Sequence, residues 1–410
     1  MIKAGALYFS IVISFMIAVI SASVIMLAVH YRSSYLKSIR YNRLLVNLES
    51  ARMMVLADEK LEGLKAFDLF GEGSDSVAVS KRNWGIYKVA WAKSFILSDT
   101  LSDAFLIGKA DTLDRVSLYL SDEDRPLSVS EGTRIRGNAL LPKSGIKSSY
   151  VDGKPYTGDK LVYGIIGESQ RTLPELDGDL IKGLSHYLDE SLEELRWFKG
   201  QALTVSFMQP VAVLRLKPNT RLSGTVSGNV ILRSDTSVVI TADAKLDGIQ
   251  VYAPYIRVED NFKGNCQLFA RDSISVGQGV SFDYPSCLGL IRTTLSGDSP
   301  EIKAGDNLRF SGLMFSYESK RSPFQTRIGF GKHTRISGEV YAAGVVKFEK
   351  GMILKGKVSC NRFHMQTPQT LYENVLVDVQ LNRQARSKYY LSTGLIKALK
   401  GESKVMKWLD

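Results

Sequence analysis

The feature that most constrains the fold of this chain is an uncharged apolar run from Ala4 to Val29. As an α-helix, this run is long enough to cross a hydrocarbon layer about 30 Å thick, which takes about 20 residues. A cleaved signal peptide, cut near Ser21-Ala-Ser23, is the alternative, but its apolar region would span only about 7–15 residues. We therefore predict a transmembrane anchor over residues 1–31, which contacts the lipid bilayer through residues 4–29.

The segment after the anchor continues the helical pattern. Apolar residues recur there at near-helical spacing, with basic and polar residues between them: Leu36, Ile39, Leu44, Leu48, Ala51 and Val55. No proline occurs before Pro126, so no proline ring interrupts a helix. The pattern predicts one continuous helix from about residue 4 to about residue 60, ended by Gly63, Gly71 and Gly73. We assign residues 32–73 to its amphipathic part, which packs on a soluble domain.

Short stretches of this helix carry a resemblance to a known family. They are Lys3-Ala-Gly-Ala-Leu7, Tyr41-Asn-Arg43 and Asn47-Leu-Glu-Ser-Ala51. With them the N-terminal helix resembles the minor pilins and pseudopilins of type IV pilus and type II secretion systems. The resemblance implies a single-pass protein of the inner membrane that assembles with other pilus, secretion or envelope proteins. The run has no glutamate near its start and no long basic leader before it, so processing by a prepilin peptidase is not implied.

Charge and resemblance predict opposite orientations in the membrane. Lys3 and the terminal amine precede the anchor, whereas several basic residues follow it: Arg32, Lys37, Arg40 and Arg43. The positive-inside rule would place the body in the cytoplasm. The pilin resemblance implies instead that residues 32–410 are extracytoplasmic, in the periplasm. We adopt this second orientation, because basic residues on a helix can also pack against headgroups or a partner.

The middle of the chain alternates short apolar segments with polar breaks. Segments such as Trp84–Trp91 and Val116–Leu120 predict a small α/β or β-meander domain over residues 74–128. We expect both tryptophans in its core, with partner binding as the alternative. A connecting region, 129–203, follows. Spaced leucines within it predict a helix at about 174–197, whose glutamates lie on a solvated face.

The most informative internal pattern is a recurring phrase of arginine, an apolar residue, any residue and glycine. It occurs as Thr133-Arg-Ile-Arg-Gly137, Thr220-Arg-Leu-Ser-Gly224, Leu308-Arg-Phe-Ser-Gly312 and Thr334-Arg-Ile-Ser-Gly338, with variants at Lys245–Gly248 and Ile353–Gly356. Glycines of neighbouring units are often about 16 to 18 residues apart, and apolar and polar residues alternate between them, as in half-buried strands. Units this short bury a core only when they stack. The pattern predicts a β-solenoid over residues 204–382.

The same region resembles bactofilins, the polymer-forming cytoskeletal proteins of bacteria. The stretches that carry the resemblance are Gly338-Glu-Val-Tyr-Ala342 and Ile353-Leu-Lys-Gly-Lys-Val358. The resemblance implies that oligomerisation is possible. The predicted fold class is therefore α+β and membrane-anchored: a long N-terminal helix, a small antiparallel β meander, and a large C-terminal β-solenoid similar to a parallel β-helix.

The sequence predicts no catalytic, cofactor or metal site. Parallel β-helices also host polysaccharide lyases and hydrolases, which need clustered carboxylates. The available carboxylates form no recurring column, and the histidines have no metal-ligand spacing; these residues are Asp243, Asp247, Asp272 and Asp283, and His30, His186, His333 and His364. Gly329–Lys332 lacks the spacing of a phosphate-binding loop, and no G-x-S-x-G motif occurs. We expect a protein that is not an enzyme.

The cysteines and the net charge exclude two further classes. Cys266, Cys287 and Cys360 form neither a disulfide framework nor a zinc site, so we expect buried thiols, with a Cys266–Cys287 bridge as the alternative. The net charge of +11 is spread along the chain rather than held in one block, so we predict no nucleic-acid partner.

The last segment, 383–410, is a basic tail with a terminal Trp408-Leu409. We expect it to cap the open end of the solenoid, with docking on anionic lipid or a partner as the alternative. Together these features predict a structural or assembly component of a bacterial envelope machine. Two alternatives remain open: an envelope solenoid that binds or degrades glycans, and a cytoplasmic bactofilin-like polymer tethered to the membrane.

Overall fold

A computed structural model describes residues 4–59, 61–71, 73, 75–111, 114–200, 202–293, 300–321, 323–367, 370–397 and 401–409. The chain divides into two compact units. The first comprises residues 1–81 and 90–103, and the second comprises residues 82–89 and 104–410.

Within the described residues the chain forms two helices, α1 (Ala4–Ala57) and α2 (Gly178–Asp189), and a long series of strands. The first strands are β1 (Gly63–Asp68), β2 (Asp75–Trp84), β3 (Tyr87–Ile96), β4 (Asp99–Ala110), β5 (Val116–Leu120), β6 (Leu127–Ser130), β7 (Arg134–Arg136), β8 (Asn138–Leu141), β9 (Ile146–Ser148) and β10 (Ile166–Glu168). After α2 follow β11 (Arg196–Trp197), β12 (Leu203–Val205), β13 (Ala212–Arg215), β14 (Thr220–Leu222), β15 (Thr225–Gly228), β16 (Val230–Arg233), β17 (Ser237–Ile240), β18 (Lys245–Val258), β19 (Lys263–Val276) and β20 (Ser281–Arg292). The last are β21 (Glu301–Ala304), β22 (Arg309–Glu318), β23 (Arg327–Gly329), β24 (Arg335–Lys347), β25 (Ile353–Gln366), β26 (Leu371–Glu373), β27 (Val375–Val377), β28 (Gln380–Asn382) and β29 (Glu402–Leu409).

Helix α1 has two parts of different character. Its most apolar 18-residue window has a mean hydropathy of 2.7 and no buried residue, so it is long and apolar enough to span a membrane, as predicted. Its second part buries one face, formed by Leu44, Leu48, Ala51 and Val55. The helix ends at Ala57, so the predicted amphipathic range 32–73 is too long. The chain turns there and forms β1, the first strand of a sheet.

Polar contacts in the first unit hold the second part of α1 on this sheet. Arg40 pairs with Asp99 at 3.2 Å, and Arg43 pairs with the buried carboxylate of Asp75. The buried Lys81 of β2 donates to the carbonyls of Val55, at 3.1 Å, and Asp58, at 2.7 Å. A cation at the C-terminal end of a helix satisfies carbonyls that have no intrahelical partner and opposes the helix dipole. The helix therefore ends where a strand supplies its cap.

A five-stranded sheet is formed in the order β1-β2-β3-β4-β29. Strands β1 and β2 pair antiparallel, and so do β4 and β29. This corrects the prediction for the tail: residues 402–409 do not cap the predicted solenoid but complete the sheet beside β4. The prediction failed because the apolar residues of the tail were taken at helical spacing, whereas Glu402–Leu409 is extended and Gly401 packs against the carbonyl of Ala110.

Most of the second unit is a stack of parallel strands. Strands β18, β19, β20, β22, β24 and β25 follow one another in parallel register. In the pairing of β24 with β25, Gly338 lies opposite Gly356, and the step between them is the 18 residues that the glycine spacing suggested. Alternate residues such as Phe310, Ile336 and Leu354 are buried in one continuous core. The prediction of a long N-terminal helix and a large β-rich C-terminal region is confirmed in this form.

The parallel stack is larger than predicted and is not built in chain order. Strand β25 pairs with β5, β27 with β6, and β28 with β7, all parallel. Strands β5 to β10, which precede the repeat in the chain, therefore extend the stack beyond its last repeat unit. This corrects two assignments, because Val116–Leu120 is not part of the meander and much of 129–203 belongs to the stack. Helix α2 is shorter than predicted and begins after Asp177, whose side chain accepts from the backbone N–H groups of Asp179 and Leu180.

Aromatic and sulfur-containing side chains complete the core. Trp84 is buried, as predicted, and donates to the carbonyl of Gly248 at 3.0 Å, whereas Trp91 is half-buried. Cys266, Cys287 and Cys360 are buried free thiols, so the alternative of a Cys266–Cys287 bridge is not the observed state.

A glycine column in the stack gives a testable prediction. Gly338 has φ +148°, and a Cβ atom there would lie 1.9 Å from the carbonyl oxygen of Gly312. Neither backbone can move without breaking the ladder, so we expect Gly338→Ala to lower the free energy of unfolding by about 3 kcal/mol or more. Urea denaturation of the full chain in detergent measures this change.

Gly183→Ala is the matched control for this substitution. Gly183 is exposed in α2, and a Cβ atom added to it would meet no other atom within 4 Å, so alanine should stabilise the helix by up to about 1 kcal/mol. Equal effects of the two substitutions would show that the glycine column does not restrict the backbone as described.

Candidate functional site

The carboxylates considered for catalysis are not brought together. Asp247 pairs with Lys407 at 2.7 Å, and Asp272 lies 3.6 Å from the guanidinium of Arg271. Among the described residues no group of three histidine, cysteine, aspartate or glutamate side chains is arranged to hold a metal ion. The histidines are also separate: His186 lies beside Glu190 in α2, and His364 lies beside Glu373 in the stack.

A cavity in the second unit lies where the chain enters and leaves the parallel stack. Its volume is about 700 Å³. The entry segment before β5 contributes Asp111, Asp114 and Arg115, and the exit segment after β28 contributes Arg383, Arg386 and Lys388. Tyr163 and Tyr390 add aromatic surface. We call this the entry–exit pocket.

A network of buried charges forms the inner wall of the entry–exit pocket. Arg383 Nη2 lies 2.7 Å from Asp111 Oδ2, and Arg386 Nη1 lies 2.9 Å from Glu339 Oε1. All four side chains are at most 6% exposed. Ser392 also donates to Glu339, at 2.7 Å. The network therefore connects the segment before the parallel stack, the segment after it, and Glu339 of β24 within the stack.

A second ion pair extends this network. Lys357 Nζ of β25 lies 2.7 Å from Asp114 Oδ2, and Asp114 also accepts from the backbone N–H of Val116. Burial by itself would raise the pKa of Asp114, but Lys357 and these hydrogen bonds lower it below its ordinary value. Burial and the neighbouring Asp114 raise the pKa of Asp111, against the effect of Arg383. Burial lowers the pKa of Arg383, whose Nε atom has no hydrogen-bond partner among the described residues.

This arrangement suits charge pairing rather than bond chemistry. The carboxylates of Asp111 and Asp114 are already engaged by arginine and lysine, so neither is poised as a general base. Arg115 and Lys388 are exposed and form no ion pair within the described part of the chain, so the mouth of the pocket favours an anion. Sequence reasoning missed this site, because Asp111 falls within the predicted meander domain and Arg383 and Arg386 fall within the predicted basic tail. The one available signal was the group of basic residues from 383 to 388.

Comparison with known proteins adds little to this description. No family model and no curated protein sequence matches the chain. Among solved structures, the chain is similar to the competence-associated pilin ComZ from Thermus thermophilus, with 11% sequence identity over 86% of this chain and 87% of that chain. The TM-score is 0.23, which is too low to indicate a shared fold. The resemblance to bactofilins stays a prediction.

The pair between Lys357 and Asp114 predicts a pH-dependent loss of stability. Asp114 has a lowered pKa in the folded chain, so its contribution is present above its ordinary pKa of 3.8 and is lost as the pH falls through the folded value. We expect Lys357→Met to lower the free energy of unfolding by about 2 kcal/mol at pH 7, because it leaves a largely buried carboxylate unpaired. The difference from the unsubstituted chain should shrink at pH 3.

Urea denaturation at the two pH values checks this prediction. Lys355→Met is the control, since Lys355 is exposed on the same strand and forms no ion pair within the described residues. A difference for Lys357→Met that is the same at pH 7 and pH 3 would mean that Asp114 is not the group involved.

Proposed function

We propose that this protein is a non-enzymatic, membrane-anchored component of a bacterial envelope assembly, of the pilin-like or pseudopilin-like kind. The observation that carries the proposal is helix α1, which is apolar on all sides over its first part and packed on a sheet over its second. A helix that is apolar on all sides needs lipid or other helices around it. The same helix carries the sequence stretches that resemble minor pilins.

The parallel stack supports a scaffold role within this proposal. We interpret it as a β-solenoid whose coils of about 18 residues are set by the register of Gly338 on Gly356. It lies in the chain between β4 and β29, which pair with each other, so it is a large insertion into a small helix-and-sheet framework. Its carboxylates are scattered or engaged in ion pairs, which supports a role in binding and assembly rather than in catalysis.

An extracytoplasmic position for residues 32–410 is part of the proposal. Arg40 and Arg43, which the positive-inside count uses, are paired with Asp99 and Asp75 of the folded body. Charges inside a folded domain are a weaker signal than free juxtamembrane charges, because whole domains translocate largely regardless of charge. The positive-inside count is therefore only weak evidence for a cytoplasmic body.

A reporter fusion tests this orientation. We expect alkaline phosphatase fused after residue 410 to be active, and a fluorescent protein that folds only in the cytoplasm to be dark at the same position. The matched control carries Ile13→Lys and Ile17→Lys, since each charge costs about 2.5–3.5 kcal/mol at the centre of a membrane helix. That control should lose membrane association. An inactive phosphatase together with a fluorescent cytoplasmic reporter would show that the body lies in the cytoplasm.

Photo-cross-linking in native cells tests the assembly role. A photoreactive phenylalanine at Phe15, which is 69% exposed on α1, should cross-link to proteins that carry an N-terminal apolar helix of their own. The same group at Tyr389, which is 90% exposed in the second unit, should not give those products. Adducts with lipid alone at Phe15, or depolymerisation of an envelope polysaccharide by the purified chain, would contradict the proposal.

A further inference from the structure

The first residue of the repeated arginine phrase is an exposed charge, and the stack does not require a charge at that position. The apolar residue of the phrase points into the core, as Phe310 and Ile336 do, and its glycine allows the close approach of neighbouring coils. The preceding position points outward. Ser281 and Ile353 occupy that outward position in other coils, so the stack forms without a charge there. The recurrence of basic residues at this position therefore calls for another explanation.

The strand register brings these outward residues into one column. In order along the stack, the column is Lys263, Ser281, Arg309, Arg335, Ile353, Gln380 and Arg134. A second column two residues further on contains Ser311, Ser337, Lys355, Asn382 and Arg136. We call the six basic residues of these columns the basic ladder: Lys263, Arg309, Arg335, Lys355, Arg134 and Arg136. At about 4.8 Å per strand the ladder is about 30 Å long.

The basic ladder is not neutralised within the described part of the chain. All six side chains are exposed, and none of them forms an ion pair there. Arg309 and Arg335 are direct neighbours in register, an arrangement that costs free energy because like charges repel. Of the acidic residues on the same face, Asp247 is engaged by Lys407, which leaves Asp283. The other phrase arginine, Arg221, lies in a different column and is paired with Glu259.

We infer that the basic ladder binds a linear acidic polysaccharide, with its carboxylates on the arginines and lysines. Between the columns lies a shallow cavity of about 460 Å³, whose lining includes Arg309, Arg335, Lys355, Ser311 and Ser337, with Asp283 as the acidic residue among them. Charged groups alternating with hydroxyl and amide groups suit a chain of sugar acids, which offers one carboxylate and several hydroxyls per ring.

Two features disfavour a nucleic acid on this face. Single strands are held by aromatic side chains on which bases stack, and the two columns contain no aromatic residue. Duplex DNA presents one charge per about 1.7 Å of its axis, much more closely than the charges of strands about 4.8 Å apart. The ladder also leads to the entry–exit pocket: Arg136 and Asn382 are followed directly by Gly137 and Arg383 of its lining. Arg115 and Lys388 at its mouth would extend the basic track.

Binding of a defined polyuronate tests the inference. The full chain in detergent is titrated with a polygalacturonate oligomer, a neutral glucan of equal length, duplex DNA and anionic phospholipid vesicles, each at two salt concentrations. We expect the polyuronate to bind most tightly. Arg309→Glu with Arg335→Glu should weaken that binding about tenfold or more and lower its salt slope by about two. Circular dichroism shows whether the charge-reversal variant folds. If it does not, Arg309→Gln with Arg335→Gln replaces it in the same titrations.

Arg257→Glu with Lys303→Glu is the matched control. These two exposed residues lie in another column of the same stack, and the pair changes the net charge by the same amount. The control should bind the polyuronate nearly as well as the unsubstituted chain. An equal loss in the control, tighter binding of DNA or vesicles, or no polyuronate binding at low salt would overturn the inference. None of these results would affect membrane anchoring or the cross-links from Phe15, which test the proposed function separately.

Discussion

The buried charge network at the entry–exit pocket is the contact on which the second unit depends. Asp111 and Asp114 precede the first strand of the stack, and Arg383 and Arg386 follow its last strand. Buried ion pairs contribute little net stability compared with apolar packing, but removing one partner is costly. Their value here is specificity of position, because a misplaced entry or exit segment would leave charges buried without partners. This network holds together two points that are far apart in the chain.

The sequence predicted the elements that depend on local pattern. The apolar run from Ala4 to Val29 fixed the first part of α1, and the glycine phrase with its alternating residues indicated stacked strands at the observed step of 18 residues. Both signals arise from a repeating requirement: a long apolar surface on all sides of the helix in one case, and an inward-facing position in the strands in the other. Patterns of this kind can be found in a single sequence, because residues that share one environment are of the same chemical type and recur at a regular spacing.

Features set by distant pairing could not be predicted in that way. Nothing in Val116–Leu120 indicates that it pairs with Val358–Cys360, because a strand looks the same whichever neighbour it finds. The C-terminal strand was missed for a related reason: Val405, Met406, Trp408 and Leu409 fit a weak helical pattern, and only the partner strand β4 makes them extended. The candidate site was missed entirely, since its charges come together only after the stack has formed.

Charge in this protein serves two different purposes, and burial distinguishes them. Arg383 and Arg386 are almost fully buried and matched by carboxylates, so their charges are used within the fold. Arg309 and Arg335 are exposed and unmatched among the described residues, so their charges are available to a ligand. The net charge of +11, which at first suggested only a diffuse basic character, therefore includes a linear track on one face of the stack.

The out-of-order stacking explains how so large an insertion fits a small sheet. Because β25 pairs with β5 and β28 pairs with β7, the first and last strands of the insertion lie at the same place in the stack. The chain can then leave β4 through the short segment that begins with Asp111, and it returns to β29 through the segment that begins with Arg383. Closing a long flexible loop costs conformational entropy, but a folded insertion with adjacent ends acts as a short connection.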